Sequence, residues 1–250
     1  MLVERETRFK ILIFCICSFI MIFIGVVCAF SLKNLIDDSK KLPENLKKNV
    51  GILLIFEDKN EKSIDFLCGA NIDAGQKNIR LFPVSKDEST VYNGEEASLC
   101  EIFSENGAQA LFESVQNSAD TPFEKYVCLD KSAIEKIANI TGDITADIGE
   151  GAKFSNDGAD FSFESGENVL SPEKFSALFM HFCKLNKTGS ALKMLEGAFT
   201  KLSKIKLYKW QEKEFFNVIK DTKSNIASYD FDDLAKIFLN MDNAQVEIKQ

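Results

Sequence analysis

Residues 123–148 read FEKYVCLDKSAIEKIANITGDITADI, and three elements follow from them in order. Phe123 to Leu129 is a short apolar run of β type. Asp130 is placed as an N-cap, where its carboxylate can accept a first-turn N–H. Ala133, Ile134, Ile137 and Ala138 then share one face of a short helix that ends near Gly142. Asp143 to Ile148 alternates apolar and polar, the pattern of a half-buried strand. Strand, helix and strand within 26 residues predict an α/β domain, and the flanks are read against that frame.

Upstream, VGILLIF (Val50–Phe56) is continuously apolar and predicts a strand buried on both faces. Ser63–Ala70 and Asn78–Val84 predict two more strands, with Asn71–Lys77 as the turn between them. Ser98 begins a helix, with Glu101 as capping-box partner; Gly107 stops it and Ala108–Asn117 forms a second. Downstream, Asn156-Asp157-Gly158 predicts a hairpin turn within Lys153–Phe163. Ser171-Pro172 starts a helix running to about Leu185. Helices are then expected over Ser190–Ile205, Gln211–Lys220 and Phe231–Leu239, the last capped by Asp230, and Gln245–Lys249 closes the chain as an edge strand. The expectation is a mixed central β-sheet flanked by helices, preceded by one N-terminal transmembrane helix.

That helix is Ile11–Leu32, an uncharged run of 22 residues. A helix of that length spans a bilayer core of about 30 Å. Arg5, Arg8 and Lys10 precede it, so the positive-inside rule keeps residues 1–10 in the cytoplasm and sends the rest outside. A cleaved signal would have a shorter apolar core and a small-residue cleavage site. Residues 33–48 are a polar stalk, and 49–250 form the extracellular domain at the cell membrane. Tail and anchor carry net +1, which leaves −9 on the exported part of a chain of net charge −8. Such an acidic domain does not suit nucleic-acid binding. Of 30 basic residues only Arg5, Arg8 and Arg80 are arginines. Any phosphate chemistry must therefore rest on lysines or a metal ion. Cys68, Cys100, Cys128 and Cys183 are exported without a C-x-x-C spacing and are expected as free thiols.

No P-loop, dinucleotide fingerprint, nucleophile elbow or H-E-x-x-H occurs. His181, the one histidine, excludes histidine metal clusters and reads as a packed or half-exposed helix residue. One loop stands out. Pro83-Val84-Ser85-Lys86-Asp87-Glu88-Ser89 leaves a strand end with a cation beside acids and hydroxyls, where α/β folds bind ligands. A solvated loop has the same composition.

With these segments in place, their order resembles the LytR–CpsA–Psr family over residues 49–250. Asp58 stands at the end of the first strand, and Lys62, Ser63 and Asp65 stand where the family has Arg-Ser-Asp-Thr. Pro83 to Glu88 matches Ser-Ile-Pro-Arg-Asp-Thr, with Lys86 for the arginine and Asp87 kept. The 123–148 stretch follows the family template, and Ser224-Asn225 matches its Thr-Asn. The resemblance implies a membrane-anchored enzyme that transfers a glycopolymer from a polyprenyl-diphosphate carrier to peptidoglycan with Mg²⁺. It assigns catalytic roles to Lys86 and Asp87, substrate binding to Ser85 and Lys193, and metal binding to Asp58, Asp65 and Asp87. The family's Tyr-x-Arg-x-Arg is replaced by Phe179–Cys183, so the bidentate clamps are absent. Three readings stay open: a divergent phosphotransferase; a non-catalytic relative that serves as an envelope-binding or scaffolding module or holds a lipid tail between sheet and helices; or an unrelated exported interaction domain.

Overall fold

The computed structural model describes residues 49–118, 123–156, 158–204, 209–241 and 243–249. The expected cytoplasmic tail, membrane span Ile11–Leu32 and stalk lie outside the described residues. Among the described residues no helix is long and apolar enough to cross a membrane.

Five strands form the central sheet in the order β11-β3-β2-β1-β6. They are β1 (Asn49–Asp58), β2 (Ser63–Asp73), β3 (Asn78–Val84), β6 (Lys125–Leu129) and β11 (Gln245–Ile248). β1 and β3 run antiparallel to β2, whereas β6 and β11 run parallel to β1 and β3. The sheet is therefore mixed, as expected. β2 extends past Ala70 to Asp73, which shortens the predicted turn to residues 74–77.

β1 is buried on both faces because both sides of its pleat are apolar. Leu53 and Ile55 face helix α1 (Leu99–Ser118), packing with Leu99, Ile102, Phe103 and Leu111. Ile52, Leu54 and Phe56 face the other way, toward α2 (Lys131–Thr141), α3 (Pro172–Lys184), α4 (Thr188–Lys204), α5 (Lys209–Lys220) and α6 (Ser228–Asn240). Gly107, with φ 82° and ψ −173°, kinks α1 where a stop was expected. Asp130 caps α2 as read, accepting from Ala133 N–H at 2.7 Å. β7 (Ile144–Ile148) shows the predicted alternation. α4 crosses it at Gly197, where a β-carbon would come within 2.4 Å of the Thr145 carbonyl oxygen.

Three local readings change. Asp230 sits in the first turn of α6, not at its N-cap: Ala227 is the cap residue, and its N–H donates to the Asp230 carboxylate at 2.9 Å. Two elements were also missed. β4 (Ser89–Tyr92) and β5 (Glu95–Ser98) form a hairpin through Asn93 (φ 52°) and Gly94 (φ 88°), an Asn-Gly signal of the kind that closes two-residue loops. β10 (Gly166–Leu170) pairs with β7. The predicted hairpin of β8 (Ala152–Asn156) and β9 (Ala159–Phe163) is present. At the β6 edge, Tyr126 N–H donates to Asn225 Oδ1 at 2.7 Å, and Asn225 Nδ2 donates to the Glu124 carbonyl. Asn225 thus satisfies backbone groups that an edge strand would otherwise leave open.

Candidate functional site

Between the sheet and helices α2–α6 lies an apolar slot of about 160 Å³. Ile52, Leu54, Leu129, Ala198, Phe199 and Leu202 are among the side chains that line it. Phe56 and Phe179 also line it and meet edge to face at 4.8 Å, with Phe66 stacked on Phe56 at 5.8 Å. Just past these rings, on the same three elements, come Asp58 on β1, Asp65 on β2 and Lys184 on α3.

Asp65 is the unusual member. Its Oδ2 is buried and has no hydrogen-bond partner among the described residues. Burial raises its pKa above the ordinary carboxylate range; Lys184 and Lys86 pull the other way, and Asp58 adds to the rise. Asp58 is held below that range, first by the Lys184 ammonium 2.9 Å away and then by the N–H groups of Asn60 and Glu61. Lys86 reaches the start of the central strand β2, donating to the carbonyls of Ile64 at 3.3 Å and Asp65 at 3.4 Å. Its loop is anchored by its own backbone. Glu88 N–H bonds the Ser85 carbonyl, and Cys100 N–H bonds that of Lys86. Ser98 and Glu101 close the capping box behind it.

The structure thus gathers Asp58 and Lys86 about Asp65, and adds Lys184. Ser85 and Asp87 are exposed on the same loop. Lys193 is elsewhere, ion-paired with Asp147 of β7 at 3.0 Å. Lys184 directly follows the Phe179–Cys183 stretch and escaped the sequence reading because it matches no family arginine. Its signal was a lysine in the last helical turn. Among the described residues no three carboxylate, histidine or cysteine side chains converge on a metal position. The chemistry of Asp65 nonetheless fits Mg²⁺, which binds through one or two carboxylates together with substrate phosphates.

A second, polar cleft of about 710 Å³ opens at the carboxyl ends of β1 and β6. Asp58 and Lys184 border it, with Lys59, Asp130, Glu135 and Phe154. His181 is half-buried, as expected, with its ring 3.9 Å from that of Phe154 and tilted by 7°. Burial and then Lys187 lower its pKa.

Cys68, Cys100, Cys128 and Cys183 are free thiols. Burial pushes Cys68 and Cys128 up to about 12. Since the thiolate is the reactive form, peptide mapping after iodoacetamide at pH 8 is expected to find Cys100 alkylated in the native protein. Cys68, Cys128 and Cys183 should react only after unfolding.

No protein-family model matches the chain, and no curated protein matches it in sequence. Solved structures do match it. B. subtilis TagV is 18% identical, with a TM-score of 0.64 over 82% of this chain and 85% of that one. An Enterococcus faecalis transcriptional regulator is 16% identical, with a TM-score of 0.67 over 84% and 78%. TagT bound to LIIa-WTA is 14% identical, with a TM-score of 0.60 over 84% and 82%. TagV and TagT are of the LytR–CpsA–Psr type, and the likeness shows that fold in this chain.

Proposed function

We propose that this chain is a membrane-anchored, extracytoplasmic protein of cell-envelope biogenesis that binds polyprenyl-phosphate-linked glycans in the manner of LytR–CpsA–Psr proteins. One observation carries the reading. An apolar slot runs up to the Phe56–Phe179 pair, and immediately beyond it stand Lys86, Lys184 and a buried carboxylate oxygen without a partner. A polyprenyl tail needs the slot; its phosphate needs the cations. TagT bound to LIIa-WTA supports the ligand class, since it shares this fold. Asp65 is the residue to hold Mg²⁺, which would supply neutralisation of phosphate charge.

Phosphotransfer to peptidoglycan is the second reading, and Lys184 favours it. With Lys86 it places two ammonium groups within electrostatic reach of Asp65. Each is a point charge without a planar fork, so transition-state stabilisation is weaker than that of an arginine pair.

The test is native mass spectrometry of the full chain in detergent micelles with undecaprenyl phosphate. Binding that Mg²⁺ strengthens, and that Lys86→Ala weakens about tenfold (one lost charge-assisted contact), is expected. No lipid-phosphate binding overturns the proposal. Failure to release the lipid monophosphate from a lipid-diphosphate-linked sugar, with a peptidoglycan hydroxyl as acceptor of the sugar phosphate, sinks the second reading alone.

A further inference from the structure

The two edges of the central sheet are finished differently. At the β6 edge the backbone is met: Cys128 N–H donates to the Lys223 carbonyl at 2.8 Å, Val127 bridges Ser224, and Asn225 serves Tyr126. β11, at the other edge, has a neighbouring strand on one side only. Its ladder to β3 uses every second residue. Gln245 N–H donates to the Lys77 carbonyl at 2.9 Å, and Lys249 N–H to that of Leu81 at 2.8 Å. In this parallel pair Gln245, Glu247 and Lys249 therefore turn their backbone groups toward β3, and Val246 and Ile248 turn theirs outward. No described residue pairs with those outward N–H and C=O groups. An open edge is a template for another strand unless Pro, a bulge or unmatched charge blunts it. Residues 245–249 hold no Pro and no bulge, and their one acid and one base, Glu247 and Lys249, share a face.

That charge spacing selects the strand that fits. Across an antiparallel two-fold axis the segment meets itself. With Ile248 on the axis, the two Ile248 residues exchange both N–H···O bonds, and each Glu247 stands directly opposite Lys249 of the partner subunit. Moving the axis to Glu247 sets two carboxylates face to face, which repels; moving it to Val246 opposes Glu247 with Gln245 and gains no ion pair. Val246 and Ile248 are half-buried, so pairing also covers apolar surface left at the edge. We propose that β11 is a self-association edge: two copies of this chain join β11 to β11 about a two-fold axis through Ile248, making one continuous sheet of two five-stranded halves. The axis stands perpendicular to the sheet, so the two Asn49 residues lie at one height along it and both chains can leave toward a single membrane. The inference rests on the open edge and its charge pattern, not on the proposed ligand.

Analytical ultracentrifugation of the full chain in density-matched detergent tests it. The parent is expected to form dimers. Ile248→Pro should weaken them at least about tenfold, because it deletes an outward N–H while leaving the ladder to β3 whole. Glu247→Lys and Lys249→Glu should each weaken them by roughly tenfold, because two facing pairs turn from attraction to repulsion. An equimolar mixture of those two variants should regain the parent's dimer, since every facing pair is then again of opposite sign. Lys249→Glu guards against a folding defect, because it alters an exposed side chain and no backbone group. A parent that stays monomeric at roughly 100 µM, where even a small and weak interface is populated, overturns the inference. So does a dimer that ignores all three substitutions, which would assign association to another part of the chain. A dimer weakened by Ile248→Pro but indifferent to Lys249→Glu overturns the two-fold axis through Ile248, and with it the proposal.

Discussion

Asp65→Asn is expected to make the protein more stable at pH 7 and to remove its Mg²⁺-dependent gain in lipid-phosphate affinity. The reason lies in one atom. Asp65 Oδ2 is buried without a partner among the described residues, beside Asp58 and between the reach of two lysines. Leaving a buried polar oxygen unmet costs about 1–3 kcal/mol, more if it is charged. An amide of the same shape removes the charge. The gain is put at about 1 kcal/mol, because the residue is only partly buried, which corresponds to roughly 2–4 °C in a domain of this size. The pH dependence has a definite sign. Burial raises the folded-state pKa of Asp65. Its contribution to stability is therefore fully present below the unfolded-state pKa and is lost as pH rises through the folded-state value. The melting-temperature difference between Asp65→Asn and the parent should be largest at neutral pH and shrink as pH falls through that range. Asp58 acts oppositely: its pKa is lowered by Lys184, so its contribution is lost on acidification. Comparing the two proteins at each pH cancels that term. Binding should fall at least about tenfold, since Asp65 Oδ2 is the buried carboxylate oxygen of the cluster that no donor among the described residues occupies. Equal melting temperatures with unchanged Mg²⁺ dependence would remove Asp65 from the site.

The sheet was legible in the sequence because β1 and β6 are short apolar runs bounded by charge, and their period and length admit little else. The helices α2 and α3 were legible through their caps, Asp130 and Ser171-Pro172. The β4–β5 hairpin was not read, although Asn93-Gly94 signalled it, because its strands are polar and half-exposed and lack an apolar alternation. Asp230 was misassigned because an acid at the first turn and an acid at the cap look alike in sequence. Only the backbone shows that Asp230 accepts from the residue three positions before it. At the site, Asp58, Asp65 and Lys86 could be found from resemblance because they sit at strand ends. Lys184 could not, since its role depends on how the last turn of α3 aims it at Asp58. Lys193 shows the converse: it lies on the helix that the resemblance pointed to, yet its ammonium serves Asp147. The polar cleft is assembled from four separate segments, and no spacing along the chain encodes it.

Ala198→Trp is expected to leave the domain folded and to cut polyprenyl-phosphate affinity by roughly 50-fold. Ala198 lines the slot from α4 and is half-buried, so a larger side chain has an outlet toward the void and need not distort the sheet. The void is only about 160 Å³, and an indole would occupy most of the room a prenyl segment uses there. Excluding about three methylene equivalents forfeits near 2.4 kcal/mol at ~0.8 kcal/mol each, which sets the fold-change. The same substitution can raise stability where it fills empty space, so its melting temperature should hold or rise while binding falls. That pairing matters, because a simple unfolding defect would lower both. The phosphate cluster is untouched, since Phe56, Phe66 and Phe179 stand between it and the slot's interior. A short phosphate ester without a prenyl tail should therefore bind Ala198→Trp and the parent alike. If the long-chain lipid also binds both alike in calorimetry, the tail lies outside the slot. The cavity between sheet and helices is then only a packing defect of the core.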